Sequence, residues 1–383
     1  MNDTMRNVTA AYPDTLGAAG LLTIDLGALA ENYRLLSVKA APARAAAVVK
    51  ADAYGLGAEK VVPVLLAAGC RDFFVAHFSE ALKLRPLISG DARLFVLNGL
   101  LPGDEETCAD AGIIPVLNGM EQVTRWKEEA AFRETTLPAA LQFDTGMSRL
   151  GLSMDEARVL AADPQGLDGI SLEILMSHLA CADEQEHAAN GAQLGVMQEA
   201  AALFPGVPVC FANSGGLFLT GDFKGALCRP GIALYGGNPS PDMENPMKPV
   251  VTLDVAVVQT RSVPAGTAIG YGGTLVADKP MRLAVISAGY ADGLPRSLSS
   301  RGAAYWNGIR LPIAGRVSMD SIILDITALP EGTLKLGDRV EIIGQHQTLE
   351  QIAADAGTIS YEILTSLGAR YRRVYRNALP VSA

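Results

Sequence analysis

The sequence lacks several features that would assign it to a common class of protein. No apolar run approaches the ~20 residues needed to cross a bilayer, so no membrane partner is expected. The N-terminus has neither the basic start nor the hydrophobic centre of a secretory signal, and we treat residues 1–20 as a loosely ordered lead-in. The 5 cysteines are odd in number and widely spaced, which argues against a disulfide framework and favours a reducing cytoplasm.

Metal sites and basic surfaces are also missing from the pattern. Only 4 histidines occur, none at metal-ligand spacing, so no metal is expected. The 41 acidic residues outnumber the 31 basic ones, and a net charge of −10 argues against nucleic acid as a partner. The chain has no P-loop, no H-E-x-x-H and no G-x-S-x-G, and the glycines of "GYGGT" do not follow the dinucleotide-binding pattern.

The first two thirds of the chain alternate short apolar runs with amphipathic stretches. Such apolar runs are typical of strands buried on both faces, and eight of them separated by helical stretches predict a (β/α)₈ barrel over residues 21–248. The runs are "AAAVVK" (45–50), "FFVAHF" (73–78), "LFVLN" (94–98), "IPVL" (114–117), "ALQFD" (140–144), "LEILMSH" (172–178), "VCFANS" (209–214) and "LCRPGI" (227–232).

The pattern changes after the proline-rich segment "PSPDMENPMKP" (239–249). Alternating apolar and polar residues then predict strands in "VTLDVAVVQTRSV", "MRLAVISAGY", "IRLPIAGRVSMDSIILDI" and "DRVEIIG". One clear helix, "TLEQIAADAG", interrupts them. Residues 249–383 are therefore predicted to form a second, mostly β domain, which gives an α/β protein with a TIM-like barrel followed by a β domain.

Nearly every predicted barrel strand ends in a polar or ionisable residue. In a (β/α)₈ barrel the carboxyl ends of the strands converge on one face, where active sites form, so these side chains are expected to line one pocket. They are Lys50, His77, Asn98, Asn118, Asp144, His178, Asn213, Ser214 and Arg229.

Lys50 is the most reactive group at this predicted face. An amine held among apolar walls has a lowered pKa and becomes a nucleophile toward aldehydes. Such a lysine either attacks a carbonyl substrate directly or holds pyridoxal phosphate. The second use requires a phosphate site, and Gly231 in "CRPGIALYGG", just after the eighth strand, and nearby Ser214 stand where these barrels often bind phosphate.

Nine motifs in order resemble the pyridoxal-phosphate-dependent alanine racemases, from about residue 21 to the C-terminus. The fold of that family, a barrel followed by a β domain, is the one that the pattern predicts. The motifs are "VVKADAYGLG", "FDTGMSRLG", "MSHLACADE", "FANSGG", "CRPGIALYG", "IGYGGT", "GYADG", "RVSMD" and "SYE".

The resemblance implies that pyridoxal 5′-phosphate is the cofactor and assigns residues to it. Lys50 matches the lysine that binds the cofactor covalently, and Arg229 the arginine that faces its pyridine nitrogen. His178 matches the residue stacked beside the ring and touching that arginine. The positions matching the phosphate site are Tyr54, Ser214, Gly231, Ile232 and Tyr361.

The resemblance also implies alanine as the substrate and a homodimer with shared active sites. Tyr271 matches the second catalytic base, donated by the other subunit. Arg149 and the backbone of Met319 match the site of the substrate carboxylate. The residues matching the access path are Asp183, Tyr290 and Arg296.

The chemistry of racemisation is consistent with these assignments. The α-proton leaves from one face of the carbon and returns on the other, so two bases must flank it. Lys50 would serve one face and Tyr271 the other, where nearby positive charge favours the phenolate. An arginine at the pyridine nitrogen can only donate a hydrogen bond, which leaves the ring a weaker electron sink and favours racemisation over transamination.

One position departs from the family pattern. Many relatives carry a lysine, often carbamylated, two residues before the aspartate of "DTGM", and here the residue is Gln142. On a strand Gln142 shares a face with Asp144, so we expect it to hold Arg149 together with an anion or water.

The leading interpretation is interconversion of L- and D-alanine, for peptidoglycan or for alanine catabolism. A racemase of broader specificity, a decarboxylase on the same barrel, and a non-catalytic pyridoxal-phosphate-binding protein are the alternatives.

Overall fold

The computed structural model of the chain describes residues 17–88 and 90–377. Most of the predicted lead-in, residues 1–16, lies outside the described residues. The chain divides into two compact units, one formed by Ala28–Lys248 and the other by the segment up to Gly27 together with the chain from Pro249 onward.

The first unit is built on a parallel sheet that closes on itself. The first barrel strand is interrupted at Ala46, so its first half pairs with the last strand and its second half with the next one along the chain. In the described chain the sheet therefore counts nine strands, in the order β2-β10-β9-β8-β7-β6-β5-β4-β3. These are β2 (Arg44–Ala45), β3 (Ala47–Val48), β4 (Asp72–Val75), β5 (Arg93–Val96), β6 (Ile114–Leu117), β7 (Leu137–Gln142), β8 (Ile170–Met176), β9 (Val209–Cys210) and β10 (Leu227–Cys228).

A helix precedes β2 and helices follow β3 to β8, as amphipathic stretches between buried strands require, whereas among the described residues no α-helix lies between β9 and β10. Their starts follow local capping chemistry: Ser153 and Glu156 form a capping box before the helix that follows β7. The helices are α1 (Leu26–Ala40), α2 (Ala58–Ala67), α3 (Phe78–Leu84), α4 (Glu105–Asp110), α5 (Met120–Phe132), α6 (Met154–Ala162) and α7 (Ala188–Leu203).

The barrel interior is apolar at its centre and charged at its amino-terminal end. Phe74 and Phe95, both fully buried, stack with their ring centroids 4.6 Å apart. Asp72, at the start of β4, is buried and accepts hydrogen bonds from Arg44 (3.2 Å) and Arg93 (2.6 Å). This end is closed by paired charges, which leaves the carboxyl ends of the strands as the face available for a site.

The second unit is mostly antiparallel sheet. Its long strand β11 pairs with β1, β14 and β18, so both of its edges are covered over much of its length. The strands are β1 (Gly20–Asp25), β11 (Val251–Val263), β12 (Ala268–Ile269), β13 (Leu275–Val276), β14 (Met281–Ile286), β15 (Ala303–Trp306), β16 (Ile309–Pro312), β17 (Ile322–Asp325), β18 (Arg339–Ile343) and β19 (Arg372–Arg376). Two helices, α8 (Leu349–Ala356) and α9 (Ser360–Ser366), accompany them.

Three expectations from the sequence need correction. Residues 21–27 belong to the β unit and not to the barrel, because β1 pairs with β11 and β19. The β unit also contains a second helix, α9, too short to show a clear period in the sequence. Finally, β9 and β10 end at Cys210 and Cys228, so Ser214 and Arg229 lie in the loops that follow these strands.

Candidate active site

Lys50 follows β3 and begins an unusual turn. The next four residues, Ala51 to Tyr54, all have φ between +52° and +57°, so the segment Lys50–Gly55 winds left-handed. This conformation costs roughly 1–2 kcal/mol for each residue with a Cβ, and the contacts of the turn must offset that cost. Asp52 supplies one of them, because its carboxylate accepts from the N–H of Ala58 at 2.7 Å.

The amine of Lys50 lies in a cationic environment. Burial lowers the pKa of Lys50, and the positive charges of Arg149 and Arg229 lower it further. None of these three side chains forms an ion pair with any described residue. The arrangement therefore favours a neutral, nucleophilic amine and attracts an anionic ligand.

Arg229 is held by neutral groups only. The residue is 3% exposed, and its guanidinium donates to the carbonyls of Cys210 (2.8 Å) and Ser177 (2.7 Å). It also lies 3.1 Å from Cys210 Sγ and 3.4 Å from His178 Nδ1. Because burial raises the pKa of the Cys210 thiol, that group stays uncharged, and Arg229 keeps its full positive charge toward a ligand.

His178 is fixed in its neutral form. Burial, followed by the charges of Arg229, Arg149 and Lys50, lowers the pKa of His178 to about 3. Its carbonyl accepts from Gln193 Nε2 at 2.9 Å, which anchors the loop after β8. A neutral imidazole beside Arg229 adds no further positive charge to the site.

A cradle for an anion lies in the loop after β10. Ser214 Oγ accepts from the N–H of Gly231 at 2.9 Å and from that of Ala233 at 3.3 Å. The N–H of Ile232, a residue only 1% exposed, has no acceptor among the described residues. A buried amide without a partner is rare in folded proteins, so this N–H fits a ligand oxygen such as one of a phosphate.

Two tyrosines form the wall of this cradle. Tyr54 packs on Tyr235 with ring centroids 4.6 Å apart, and the hydroxyl of Tyr235 donates to the carbonyl of Val48 at 2.9 Å. A Cβ on Gly231 would collide with the hydroxyl of Tyr54, so only glycine lets the phenol approach the loop this closely.

Substituting Gly231 tests the cradle directly. We expect Gly231→Ala to raise the dissociation constant for pyridoxal phosphate up to about 100-fold, because the displaced Tyr54 would cost ~1–3 kcal/mol. Gly191→Ala, in α7 with open space around the new methyl group, is the control. Fluorescence titration of each cofactor-free variant with pyridoxal phosphate measures the two dissociation constants. Equal affinities of the two variants would contradict the assignment of Gly231 to the cradle.

Arg149 is carried by a loop that folds back on β7. Asp144 Oδ1 accepts from the N–H groups of Gly146, Met147 and Ser148 at 2.9, 3.0 and 3.0 Å. Burial opposes ionisation of Asp144, but these donors outweigh it and lower the pKa of the carboxyl. The loop is therefore held by its own aspartate and presents an exposed Arg149.

Gln142 does not hold Arg149 by a direct hydrogen bond. Gln142 lies at the end of β7 and is only 5% exposed, and its side chain forms no hydrogen bond with Arg149 or with any other described residue. The expectation that Gln142 holds Arg149 together with an anion or water stays a prediction. Gln142 is neutral and extends from a strand, whereas Arg149 stands on the exposed loop.

The other residues that the family resemblance assigns lie in the β unit, except Asp183. Asp183 is exposed after β8, where its carbonyl accepts from Ser240 Oγ at 2.6 Å. Tyr271 is 70% exposed in a glycine-flanked turn between β12 and β13. Arg296 is exposed, and Tyr361 is partly exposed near the start of α9.

Tyr290 and Met319 are neighbours within the β unit. The N–H of Tyr290 donates to the carbonyl of Ser318 at 3.0 Å, and the N–H of Ala291 to that of Met319 at 3.1 Å. Arg370 ties these two segments together by donating to Asp292 (2.6 and 2.7 Å) and to Asp320 (2.6 Å). The side chains of Tyr290 and Met319 are exposed, and the N–H of Met319 has no acceptor in the described part of the chain.

The structure thus collects a first group of predicted residues at the carboxyl ends of the barrel strands. They are Lys50, Tyr54, Gln142, Arg149, His178, Ser214, Arg229, Gly231 and Ile232. Sequence reasoning missed Cys210 and Tyr235. Residues near them in the sequence indicate a functional site, but their own side chains have the pattern of the apolar core. It also missed Glu80, which shows only the spacing of a helix cap.

Fold and site together define a class of protein: a (β/α)₈ barrel with a β domain, whose catalytic face presents one amine and two guanidinium groups to an anion. Family profiles identify the member. Residues 24–239 match the alanine racemase N-terminal domain, and residues 250–375 match the alanine racemase C-terminal domain. The chain belongs to the alanine racemase family.

Individual relatives are similar over nearly the whole chain. A catabolic alanine racemase of Agrobacterium fabrum is 64% identical over 359 residues, 94% of this chain and 92% of the relative. A catabolic alanine racemase of Rhizobium johnstonii is 60% identical and covers 94% and 96%. The crystal structure of alanine racemase from Bartonella henselae with covalently bound pyridoxal phosphate superposes with a TM-score of 0.90 at 45% identity, covering 94% and 99%.

No helix within residues 17–88 and 90–377 has the length and hydropathy of a membrane span. In the same ranges no group of three or more His, Cys, Asp or Glu side chains is arranged to hold a metal ion.

Proposed function

We propose that this protein is an alanine racemase that uses pyridoxal 5′-phosphate to interconvert L- and D-alanine. The observation that carries the proposal is the cationic barrel mouth, where Lys50, Arg149 and Arg229 have no carboxylate partner among the described residues. Family membership and the cofactor held by the Bartonella henselae relative support it.

The residues present fit this cofactor. Ile232 offers a backbone donor for a phosphate, Gly231 with its partner Ser214 and Tyr54 lie beside it, and Arg229 can donate to a ring nitrogen. When bound, pyridoxal phosphate would act as an electron sink that acidifies the α-hydrogen of the substrate. Tyr361 is proposed to contribute a further phosphate contact.

The chain's own residues would then move the proton. Lys50, with its lowered pKa, is proposed to serve as base on one face of the α-carbon, and Tyr271 on the other. Arg149, together with the backbone N–H of Met319, is proposed to bind the substrate carboxylate. Asp183, Tyr290 and Arg296 are proposed to line the access path.

Arg229 is the residue that favours racemisation over decarboxylation or transamination. A decarboxylase gains from an acid that keeps the pyridine nitrogen protonated, whereas the partners of Arg229 are all neutral and its guanidinium can only donate. A non-catalytic carrier would have no use for Arg149.

We further propose a homodimer in the cytoplasm, in which Tyr271 and Met319 complete the site of the partner subunit. The exposure of Tyr271 and Met319 supports the homodimer, and the five cysteines, all free thiols, support the cytoplasmic location.

A catabolic role is proposed because two close relatives are named catabolic alanine racemases. A deletion strain should then lose growth on alanine without requiring added D-alanine.

The experiment that tests the function is α-hydrogen exchange in deuterated water across a panel of amino acids, with chiral separation of the products. We expect exchange and inversion for alanine and weak turnover of larger substrates, since one methylene is worth ~1–3 kcal/mol in such a pocket. Carbon dioxide release would identify a decarboxylase. Cofactor absorbance without exchange would identify a carrier, and equal turnover across the panel a racemase of broad specificity.

A further inference from the structure

The carboxylate of Glu80 joins the loops that follow two neighbouring barrel strands. Its Oε1 accepts from the N–H of Ala51 at 2.6 Å, one residue beyond Lys50. Its Oε2 accepts from the N–H groups of Ala76 and His77 at 2.9 and 3.0 Å, just after β4. One side chain therefore bonds three backbone amides on two segments.

Helix capping explains only part of this arrangement. Glu80 is the third residue of α3, and its bond to the N–H of His77 is the backbone half of a capping box. That role occupies Oε2. The bond from Oε1 to Ala51 lies outside the helix and would be unnecessary for a cap.

Ala51 begins the left-handed part of the turn. Four consecutive residues with a Cβ adopt positive φ there, a conformation that the chain would leave without external contacts. Asp52 holds the far end of the turn through Ala58, and Glu80 holds the near end, beside Lys50.

We propose that Glu80 is a positioning residue for Lys50: its carboxylate clamps the left-handed turn and thereby fixes the direction of the lysine side chain. The importance of this position for catalysis rests on the proposed function, whereas the hydrogen bonds of Glu80 do not depend on it. Glu80 acts through the backbone of Ala51, so its role is positioning and not catalysis.

The charge of Glu80 has a second consequence. The groups that act on the amine of Lys50 are Arg149 and Arg229, which disfavour its protonation, and Glu80, which favours it; His178 is neutral beside them. Removing the negative charge of Glu80 therefore leaves only the two guanidinium groups, and the pKa of Lys50 falls further.

The matched variants are Glu80→Gln and Glu59→Gln. Glutamine is also found in capping boxes, so Glu80→Gln can retain the cap of α3, but its single carbonyl oxygen cannot serve both loops. Glu59 is exposed on α2, so its substitution removes the same charge without the clamp.

Two measurements separate positioning from simple stability. In the cofactor-free full chain, the pH profile of Lys50 acetylation, followed by peptide mass spectrometry, should shift to lower pH in Glu80→Gln and not in Glu59→Gln. In the holoenzyme, Glu80→Gln should release pyridoxal phosphate roughly tenfold faster. Thermal unfolding of each variant shows whether the fold is kept.

A glycine at position 51 provides the rescue. Glycine adopts positive φ at little cost, so Ala51→Gly added to Glu80→Gln should recover part of the lost cofactor retention while leaving the shifted acetylation profile unchanged. An acetylation midpoint and a release rate equal to those of Glu59→Gln would overturn the proposal. If the proposed function failed, the wild type would show no α-hydrogen exchange, yet the acetylation shift would still report that the charge of Glu80 acts on Lys50.

Discussion

Lys50→Ala is expected to abolish covalent attachment of the cofactor and to lower racemisation by at least about 10³-fold, the upper range for loss of a general base. The physical reason is that one amine has two tasks. Burial and two guanidinium groups lower its pKa, so it can form a bond with an aldehyde and later accept a proton.

The measurement combines borohydride reduction with mass spectrometry and α-hydrogen exchange. The wild type should carry one reduced cofactor adduct on the peptide containing Lys50, and Lys50→Ala none. Lys60→Ala is the control, because Lys60 is an exposed lysine on α2 and should keep both adduct and activity. An adduct on another lysine of the Lys50→Ala chain, with activity retained, would contradict the assignment.

The barrel was predictable because its signals are local and repeated. Buried parallel strands appear as continuous apolar runs, and their ends carried the polar residues that the structure gathers at one face. Local signals also explain why the N-terminal strand β1 was assigned to the wrong unit. An apolar run such as Gly20–Asp25 shows that it is buried but does not show which sheet it joins, and β1 pairs with β11, more than 200 residues away in sequence.

The chemistry of the site was predictable only where side chains carry it. Lys50 and Arg229 were visible as charges at strand ends, whereas Cys210, whose sulphur lies 3.1 Å from Arg229, had the pattern of a core residue. The left-handed turn had no sequence signal either, because Ala51 and Ala53 adopt positive φ in place of the expected glycines. Backbone contacts of this kind depend on tertiary structure and not on local preference.

Gln142 shows where strand alternation stops being informative. The alternation of a strand placed it on the same face as Asp144, and from this a contact with Arg149 was expected. Alternation holds only within the strand, however, and β7 ends at Gln142 itself. Beyond that point Asp144 turns its carboxylate to the loop, and Arg149 follows the loop.

Tyr271→Phe is the second substitution with a large expected effect. Phenylalanine keeps the ring and removes only the hydroxyl, so binding of cofactor should be retained while one of the two bases is lost. We expect racemisation to fall by about 10²–10⁴-fold, with α-hydrogen exchange lost from one enantiomer only, because Lys50 still serves the other face.

Chiral-resolved exchange in deuterated water measures this asymmetry. Tyr305→Phe, in β15 of the same unit, is the control for loss of a tyrosine hydroxyl. Equal loss of exchange from both enantiomers would assign Tyr271 to binding or folding, and unchanged exchange would remove it from the mechanism.

Mixing two inactive chains decides whether Tyr271 acts across the proposed dimer. If Lys50 of one subunit works with Tyr271 of the other, a dimer of a Lys50→Ala chain with a Tyr271→Phe chain contains one site with both substitutions and one with neither. Random pairing gives half heterodimers, so about a quarter of wild-type activity should return on co-expression. If both residues acted within one chain, every site would carry one defect and no activity would return. The exposure of Tyr271 on the β unit favours the first outcome, since a base needs a partner surface to exclude water from its hydroxyl.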